Sequence, residues 1–484
     1  MESGDARVSS PLPELRRALG FRDLLLFYVV TTFSLRWIAT AAAAGPSSLL
    51  IWIVAAAGLF VPLVFTVLEL SSRYPDEGGI YVWSKRAFGP FAAFMTGWSY
   101  WATNLPYFPS LLYFAAGNVL FVGGPSWQSW SSSSAYFMSA AVVGLGFAVA
   151  LNVLGLNVGK WLNNAGAVAA WISTGALIAF GVVAWSRFGS ATPLDRASLL
   201  PSFSLKNVIF WSTIAFAYGG VESASTMAEE IQEPRRTVPR AILAAAVLMT
   251  LLYLAATLSV LLAIPQEQIS GLQGIMQAVQ AMTEKIGVAW LAAPIAALVT
   301  LNALGGVGAW FAATARLPFV AGLDRFLPGI FGTLHPRWRT PHVALLTQAA
   351  ISVVFVILGQ AGTSVRGAYD VLVSMSVISY FIPFLFMFAA MIKLQGEPVA
   401  PDAIRVPGGR PAATALAAVG FATTFLAIVL ACIPPADEAN KTLAVVKIVG
   451  LSVALLGIGA VVFAMGIRRA TRSLERAGLE RIQP

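Results

Sequence analysis

The most informative part of the sequence runs from Asn207 to Arg240 and reads NVIFWSTIAFAYGGVESASTMAEEIQEPRRTVPR. It begins as an apolar helix up to Phe216, and the helical pattern then falters at Gly219-Gly220, beside the carboxylate of Glu222. Adjacent glycines weaken a helix. Non-helical backbone at membrane depth survives only where it lines a cavity or packs against protein. The stretch therefore indicates either an interrupted helix at a binding site or close packing of two helices at the glycines.

The composition identifies an all-α integral membrane protein. Of the 484 residues, 58% are hydrophobic and 11% are charged, whereas a soluble domain carries roughly 25% charged residues. The net charge of +9 comes from short loops between apolar segments, which is typical of membrane topology and not of a nucleic-acid-binding surface. One cysteine, Cys432, and two histidines exclude an intramolecular disulfide and a multi-ligand His/Cys metal site. We expect a lipid bilayer as partner, no nucleic acid, no metal and no cofactor.

About twelve apolar segments have the length of ~20 residues that a bilayer requires. They lie near 24–44, 48–70, 90–121, 134–156, 165–187, 207–228, 241–264, 287–312, 342–360, 367–392, 412–433 and 443–466. Alternating the loops puts most lysine and arginine on the side of both termini, which predicts cytoplasmic termini in the cell membrane. We divide the chain into a cytoplasmic N-terminal segment, a ten-helix core, two further helices and a short cytoplasmic tail, at 1–23, 24–392, 393–467 and 468–484.

Span 1 is unusually polar. It contains Thr31, Thr32, Ser34 and Arg36 near its middle. An arginine at that depth costs about 3 kcal/mol or more unless it pairs or reaches water. Two interpretations are open: Arg36 snorkels or forms a structural ion pair, for example with Glu222, or it faces a water-filled cavity and meets an anionic group of a solute.

Spans 1 and 6 both carry interruptions and are five spans apart. This spacing is typical of an inverted-repeat transporter whose binding site lies at the middle of the membrane. Other polar or glycine-rich features have plainer interpretations. The glycines of 303–310, before Trp310, favour close helix packing. The hydroxyls of span 10, including Tyr380, are interpreted as bonded to helix carbonyls.

Several motifs resemble the amino acid–polyamine–organocation (APC) superfamily of transporters. They are Gly78-Gly79-Ile80-Tyr81, Gly89-Pro90-Phe91, Tyr100-Trp101, Gly220-Val221-Glu222-Ser223-Ala224, Glu229-Glu230, Pro234-Arg235-Arg236, Val238-Pro239-Arg240-Ala241 and Trp310. Within the superfamily, the sequence is most similar to the glutamate/GABA antiporter group. The residues that indicate this group are 217–225, Val406-Pro407-Gly408-Gly409 and Pro434-Pro435.

The resemblance implies a LeuT-like fold, a 5+5 inverted repeat in which helices 1 and 6 unwind around the substrate. It implies that Thr31-Thr32-Phe33 is the unwound turn that binds the substrate carboxylate. It also implies that Phe216 is a gating aromatic, and that Glu222 acts in coupling or acid sensing. Tyr100 and Trp310 resemble aromatic residues of the arginine/agmatine antiporter.

This sequence departs from the family pattern in three places. Span 1 has Thr-Thr-Phe where a Gly-Ser-Gly turn is common. Span 5 lacks the lysine that serves some proton-coupled members, so coupling by that route is not expected. The tail after Arg468 is short, so a pore-blocking tail and a role in acid resistance are not expected.

These features predict a secondary active transporter of amino acids or their amine derivatives, working by exchange and alternating access. The alternative is a uniporter or ion-coupled symporter of neutral or cationic amino acids or polyamines; a channel would need filter rings, and an enzyme a clustered acid–base set. The residues expected to bind substrate are Thr31, Thr32, Phe33, Ser34, Arg36, Tyr100, Phe216, Ala217, Tyr218, Gly219, Gly220 and Trp310, and Glu222 is expected to act in coupling or gating. Free carbonyls near 217–219 suit an ammonium group, and half-helix N-termini suit a carboxylate. If Arg36 recognises an extra carboxylate, Arg36→Ala should raise the KM of acidic substrates most.

Overall fold

The computed structural model describes residues 20–74, 78–154, 156–201, 210–222, 231–315, 326–400, 403–434, 438 and 440–476. The helices there are α1 Phe21–Thr32, α2 Leu35–Ala43, α3 Ser47–Ala55, α4 Val61–Arg73, α5 Ile80–Phe88, α6 Pro90–Ala102, α7 Asn104–Val119, α8 Pro125–Gln128, α9 Ser134–Leu154, α10 Leu156–Phe188, α11 Arg196–Leu199, α12 Phe210–Phe216, α13 Pro234–Ala263, α14 Gly274–Lys285, α15 Ala292–Thr314, α16 His342–Gln360, α17 Val365–Leu394, α18 Gly409–Ala431 and α19 Lys441–Arg476. A π-helical turn, Ala56–Phe60, joins α3 to α4. Residues 1–19 of the predicted N-terminal segment 1–23, residues 477–484 of the predicted tail 468–484, and the continuation of span 6 at 223–230 lie outside the described residues.

Nine helices in the described ranges are long and apolar enough to cross a membrane. They correspond to predicted spans 2, 4, 5 and 7 to 12. The other three predicted spans consist of shorter pieces, because span 1 is interrupted at Phe33-Ser34, span 3 at Thr103 and span 6 after Phe216. The all-α, multi-pass prediction is therefore confirmed. The side of the membrane on which α1 begins is called the N-terminal face, and the side that α2 approaches is called the opposite face.

The break in span 1 lies slightly later than predicted. Phe33 and Ser34 are both extended, with ψ near 127° and 128°, and α2 begins at the next residue. Thr31 and Thr32 belong to the last turn of α1, so the predicted unwound turn Thr31-Thr32-Phe33 is corrected to Phe33-Ser34. The physical reason is that the Phe33 amide still donates to the Val29 carbonyl at 2.8 Å, so helical hydrogen bonding continues to the end of α1.

One side chain of α13 supports both broken helices. The Tyr253 hydroxyl lies 2.9 Å from the Thr32 carbonyl and 3.1 Å from the Ala217 carbonyl, and it accepts from the Ser34 amide at 3.2 Å. Its ring stacks on Trp52 of α3 with ring centroids 4.2 Å apart. Backbone groups freed in a membrane must find partners inside the protein. Tyr253 therefore holds the two breaks at the same depth.

Helices α10 and α15 pack through glycine. A Cβ atom on Gly305 would lie 2.9 Å from the Cα of Gly166, and a Cβ on Gly166 would meet Gly305 equally closely. Such contact lets two helix backbones approach each other. The packing interpretation of the glycines in span 8 is correct for Gly305. Trp310 is on the same helix, α15, so this contact with α10 also helps to position Trp310.

A polar cluster lies at the N-terminal face, between α4, α5 and the end of α17. Glu397 accepts hydrogen bonds from the Tyr74 hydroxyl at 2.9 Å and from Arg86 Nε at 2.8 Å. Arg73 pairs with Glu69 at 3.1 Å close by. Partial desolvation raises the pKa of Glu397, but the hydrogen bonds from Tyr74 and Arg86 outweigh it and hold the pKa below the ordinary value. The Glu397 carboxylate therefore stays ionised at neutral pH and keeps its hydrogen bonds to Tyr74 and Arg86.

Candidate functional site

A pocket lies between the break in span 1, the break in span 6 and the facing walls of spans 3, 8 and 10. The predicted site residues that line it are Thr32, Phe33, Ser34, Tyr100, Phe216, Gly219, Gly220 and Trp310. Four separate helical regions bring these residues to one place. The two interruptions recognised in the sequence thus meet at one pocket.

Other lining residues were not predicted to belong to the site. The polar and aromatic ones are Trp37, Thr103, Asn104, Tyr107, Asn302 and Tyr380. Helical spacing could have indicated some of them, because residues three, four, seven or eight apart lie on the same face of a helix. Asn104 lies four residues after Tyr100, Tyr107 lies seven after it, and Asn302 lies eight before Trp310. Tyr380 has no such signal, because its partners come from distant segments of the chain.

Some predicted residues do not line the pocket. Tyr218 points away from it: its hydroxyl donates to the Trp52 carbonyl at 3.2 Å, and its ring stacks on Phe60 with centroids 4.7 Å apart. The Ala217 carbonyl contacts Tyr253 instead of the pocket. The side chain of Thr31 lies outside the described part of the structure. The sequence shows how deep a residue lies in the membrane, but it does not show which way the side chain turns once the helix unwinds.

Arg36 is fully buried but is not on the pocket wall. Its Nη1 donates to the Ser110 hydroxyl at 2.8 Å, and its guanidinium carbon lies 4.0 Å from the Trp37 ring centroid. Within the described residues it forms no salt bridge, so the ion pair with Glu222 considered from the sequence is not present. Arg36 instead lies behind the aromatic lining, on the side of the opposite face.

Glu222 connects three spans below the pocket, toward the N-terminal face. Its Oε1 accepts from the hydroxyls of Tyr100 at 3.0 Å and Tyr380 at 2.5 Å, and its Oε2 accepts from the Gly220 amide at 2.9 Å. The interpretation of Tyr380 as a hydroxyl bonded to a helix carbonyl was wrong, since it donates to this carboxylate. A Cβ on Gly219 would lie 2.3 Å from the Tyr380 ring, so glycine permits this contact.

The ends of the broken helices place partial charges of opposite sign at the pocket. The N-terminus of α2 presents backbone N–H groups and partial positive charge, whereas the C-termini of α1 and α12 present carbonyls and partial negative charge. The Thr32 hydroxyl is buried at the pocket and has no hydrogen-bond partner in the part of the chain that the structure describes. Such a site suits a small polar molecule that carries opposite charges.

Among the described residues, no group of three or more His, Cys, Asp or Glu side chains is arranged to hold a metal ion.

Two helices interrupted at one depth, with a pocket between them and spanning helices around them, define a class of protein: multi-pass membrane carriers built on broken helices. Residues 19–455 match the model of the family described as Amino acid permease. The chain belongs to this family, within the APC superfamily, and it is therefore a membrane transporter and not an enzyme.

Relatives agree with this membership. The chain is 28% identical over 429 residues to an uncharacterized transporter of Legionella pneumophila, covering 87% of this chain and 91% of the relative. It is 23% identical over 420 residues to the probable agmatine/putrescine antiporter AguD of Lactococcus lactis, covering 86% and 89%. It is 22% identical over 391 residues to the glutamate/gamma-aminobutyrate antiporter of the same organism, covering 79% and 77%.

A solved structure confirms the fold. The crystal structure of MhsT in complex with L-phenylalanine superposes with a TM-score of 0.58 at 14% identity, covering 84% of this chain and 98% of MhsT. MhsT has the LeuT fold, so the expected fold, with interrupted helices 1 and 6, is correct.

Proposed function

We propose that this protein exchanges amino acids, or amines derived from them, across the cytoplasmic membrane, and that both of its termini lie in the cytoplasm. The observation that carries the proposal is the meeting of both broken helices at one pocket, joined by the Tyr253 hydroxyl. One of the relatives is an antiporter and another is a probable antiporter, which favours exchange over uniport for this chain.

The two ends of the pocket match the two charges of an amino acid. Its carboxylate would bind at the N-terminus of α2, where the Thr32 hydroxyl is available as a further donor. Its ammonium would bind near the C-termini of α1 and α12, where the helix dipoles place partial negative charge. Phe216, Tyr100 and Trp310 line the remaining wall, and their ring faces can cover the substrate or contact a cation.

Contacts on the two sides of the pocket provide a barrier toward each membrane face. Toward the N-terminal face, Glu222 ties Tyr100 to Tyr380. Toward the opposite face, Arg36 ties α2 to Ser110 of α7. Opening one set of contacts while the other stays closed is the minimum that alternating access requires.

The test is transport by the purified full-length chain in proteoliposomes. Labelled glutamate, γ-aminobutyrate, alanine, leucine, arginine and putrescine are supplied outside, with and without the same unlabelled compound inside. We expect uptake of at least one compound that depends on internal substrate. Equal uptake into empty vesicles would replace exchange with uniport or ion-coupled symport, and uptake of none of them would contradict the proposed substrate class.

A further inference from the structure

Arg36 is a buried cation that has no countercharge among the described residues. Its side chain is fully buried, Nη1 bonds to the neutral Ser110 hydroxyl, and Nε and Nη2 have no hydrogen-bond partner among the described residues. No carboxylate in those ranges lies within salt-bridge distance of it. Burying an unpaired charge is strongly unfavourable, so a structural arginine would be expected to have a carboxylate partner.

Aromatic rings occupy the positions where a carboxylate would be expected. The guanidinium carbon lies 4.0 Å from the ring centroid of Trp37, 4.8 Å from that of Tyr107 and 5.9 Å from that of Tyr369. Cation–π contacts offset part of the loss of hydration but supply no negative charge. Trp37 and Tyr107 also line the pocket. One aromatic layer therefore separates the guanidinium from the proposed substrate.

The groups that enclose Arg36 come from different elements. Arg36 and Trp37 are on α2, Ser110 and Tyr107 are on α7, and Tyr369 is on α17. Because these helices meet around Arg36, opening the pocket toward the opposite face would separate α2 from α7 and α17. The Arg36 guanidinium would be hydrated when the pocket opens toward the opposite face, and it would be dehydrated when the pocket closes.

We propose that the carboxylate of the substrate is the missing countercharge for Arg36 when the opposite face closes. With a carboxylate at the N-terminus of α2, closure brings two opposite charges together across a thin layer of low dielectric constant, where their attraction is strong. Without it, closure buries an uncompensated cation. The protein without substrate therefore closes only at a high cost in free energy, and it rarely changes from one open conformation to the other. Because only the substrate-bound protein makes this change readily, transport is restricted to exchange. This inference rests on the proposed function and deepens it, since it requires a substrate that carries a carboxylate.

The first test uses the unmodified protein and matched pairs of substrates. Each pair joins an amino acid to its decarboxylated amine: arginine with agmatine, ornithine with putrescine, and leucine with isopentylamine. For any pair in which the amino acid is exchanged, we expect the amine to support exchange at least about tenfold more slowly. An amine exchanged as fast as its amino acid would overturn the inference while leaving the proposed transport function intact.

The second test changes the charge. Arg36→Gln removes it, Arg36→Lys keeps it, and Arg187→Gln removes an exposed charge from the same membrane face. We expect Arg36→Gln to raise uptake into empty vesicles relative to loaded ones, so that the loaded-to-empty ratio falls about tenfold toward unity. Arg36→Lys and Arg187→Gln should keep the ratio of the unmodified protein.

The outcomes of the second test separate the inference from the proposed function. An Arg36→Gln variant that transports and keeps the full ratio would overturn the inference. If Arg36→Gln does not fold, the substrate pairs in the unmodified protein still decide the matter. If the unmodified protein transports none of the compounds, the proposed function itself is wrong. If it transports them into empty vesicles as fast as into loaded vesicles, the proposal of exchange is wrong.

Discussion

At the scale of single residues, the site depends on polar groups whose partners lie far away in sequence. Glu222 accepts hydrogen bonds from Tyr100, 122 residues earlier, and from Tyr380, 158 residues later. The sequence indicated that Glu222 is special because a carboxylate within an apolar span is rare. It gave no reason to pair that carboxylate with Tyr380, because span 10 also contains hydroxyl residues that bond to their own helix, such as Ser376.

We predict that the protonation of Glu222 controls the pH dependence of exchange. The ionised carboxylate accepts both tyrosine hydroxyls at once, and a proton on it would remove part of that capacity and loosen the contacts between spans 3, 6 and 10. Glu222→Gln should flatten the profile of exchange rate against pH, and Tyr380→Phe should shift it. The measurement is exchange by proteoliposomes from pH 5 to pH 8.

Tyr107→Phe is the matched control for this prediction, because Tyr107 lines the same pocket and makes no contact with Glu222. It should keep the profile of the unmodified protein. A Glu222→Gln variant with an unchanged profile would rule out the gating role of this carboxylate.

At the scale of elements, the broken helices are the part of the fold that the sequence predicted best. Gly219-Gly220 marked the break in span 6, and the hydroxyl residues of span 1 marked the other break to within two residues. The stabilising partner, Tyr253, was not found. A tyrosine in an apolar helix is usually a packing residue, and nothing in the neighbouring sequence shows that its hydroxyl reaches two distant backbones. The hydrophobic pattern of the sequence predicts how deep a residue lies in the membrane. The tertiary packing of the helices determines which backbone group its side chain contacts.

We predict that Tyr253→Phe destabilises the protein and slows exchange. It leaves the Thr32 carbonyl, the Ala217 carbonyl and the Ser34 amide without the hydroxyl that contacts them. Each buried polar group without a partner costs about 1–3 kcal/mol, so the variant should lose about 2 kcal/mol or more. The measurement is the thermal unfolding midpoint in detergent, together with the exchange rate.

Tyr218→Phe is the control for this change in stability. The Tyr218 hydroxyl lies 3.2 Å from the Trp52 carbonyl and 3.3 Å from the Thr250 hydroxyl. The Trp52 carbonyl also receives a helical hydrogen bond from the Ala56 amide, and the Thr250 hydroxyl donates to the Ala246 carbonyl, so both partners keep a hydrogen bond. Loss of the Tyr218 hydroxyl should therefore destabilise the protein less. Equal destabilisation by the two variants would show that Tyr253 does not hold the breaks together.

At the scale of the whole molecule, the arrangement places barriers on both sides of one pocket. In the proposed function, the contacts of Glu222 close the pocket toward the N-terminal face, and the aromatic enclosure of Arg36 closes it toward the opposite face. The sequence predicted the spans, their order and the inverted repeat, because these depend on hydrophobic length and on where helices break. It could not show that Arg36 lies behind the pocket lining, since a buried cation and a ligand-binding cation look alike in sequence.

The most direct test of the account asks whether the transported amino acid occupies this pocket. Cys432 is the only cysteine of the chain, so Cys432→Ser provides a background in which Ser34→Cys places one thiol on the pocket wall. Ser129→Cys places a control thiol on an exposed loop. With the exchanged amino acid at about ten times its Kd, modification of the pocket thiol by a methanethiosulfonate reagent should slow about tenfold, whereas the control thiol should react at an unchanged rate. Equal rates at the pocket thiol with and without the amino acid would contradict the claim that substrate binds between the two broken helices.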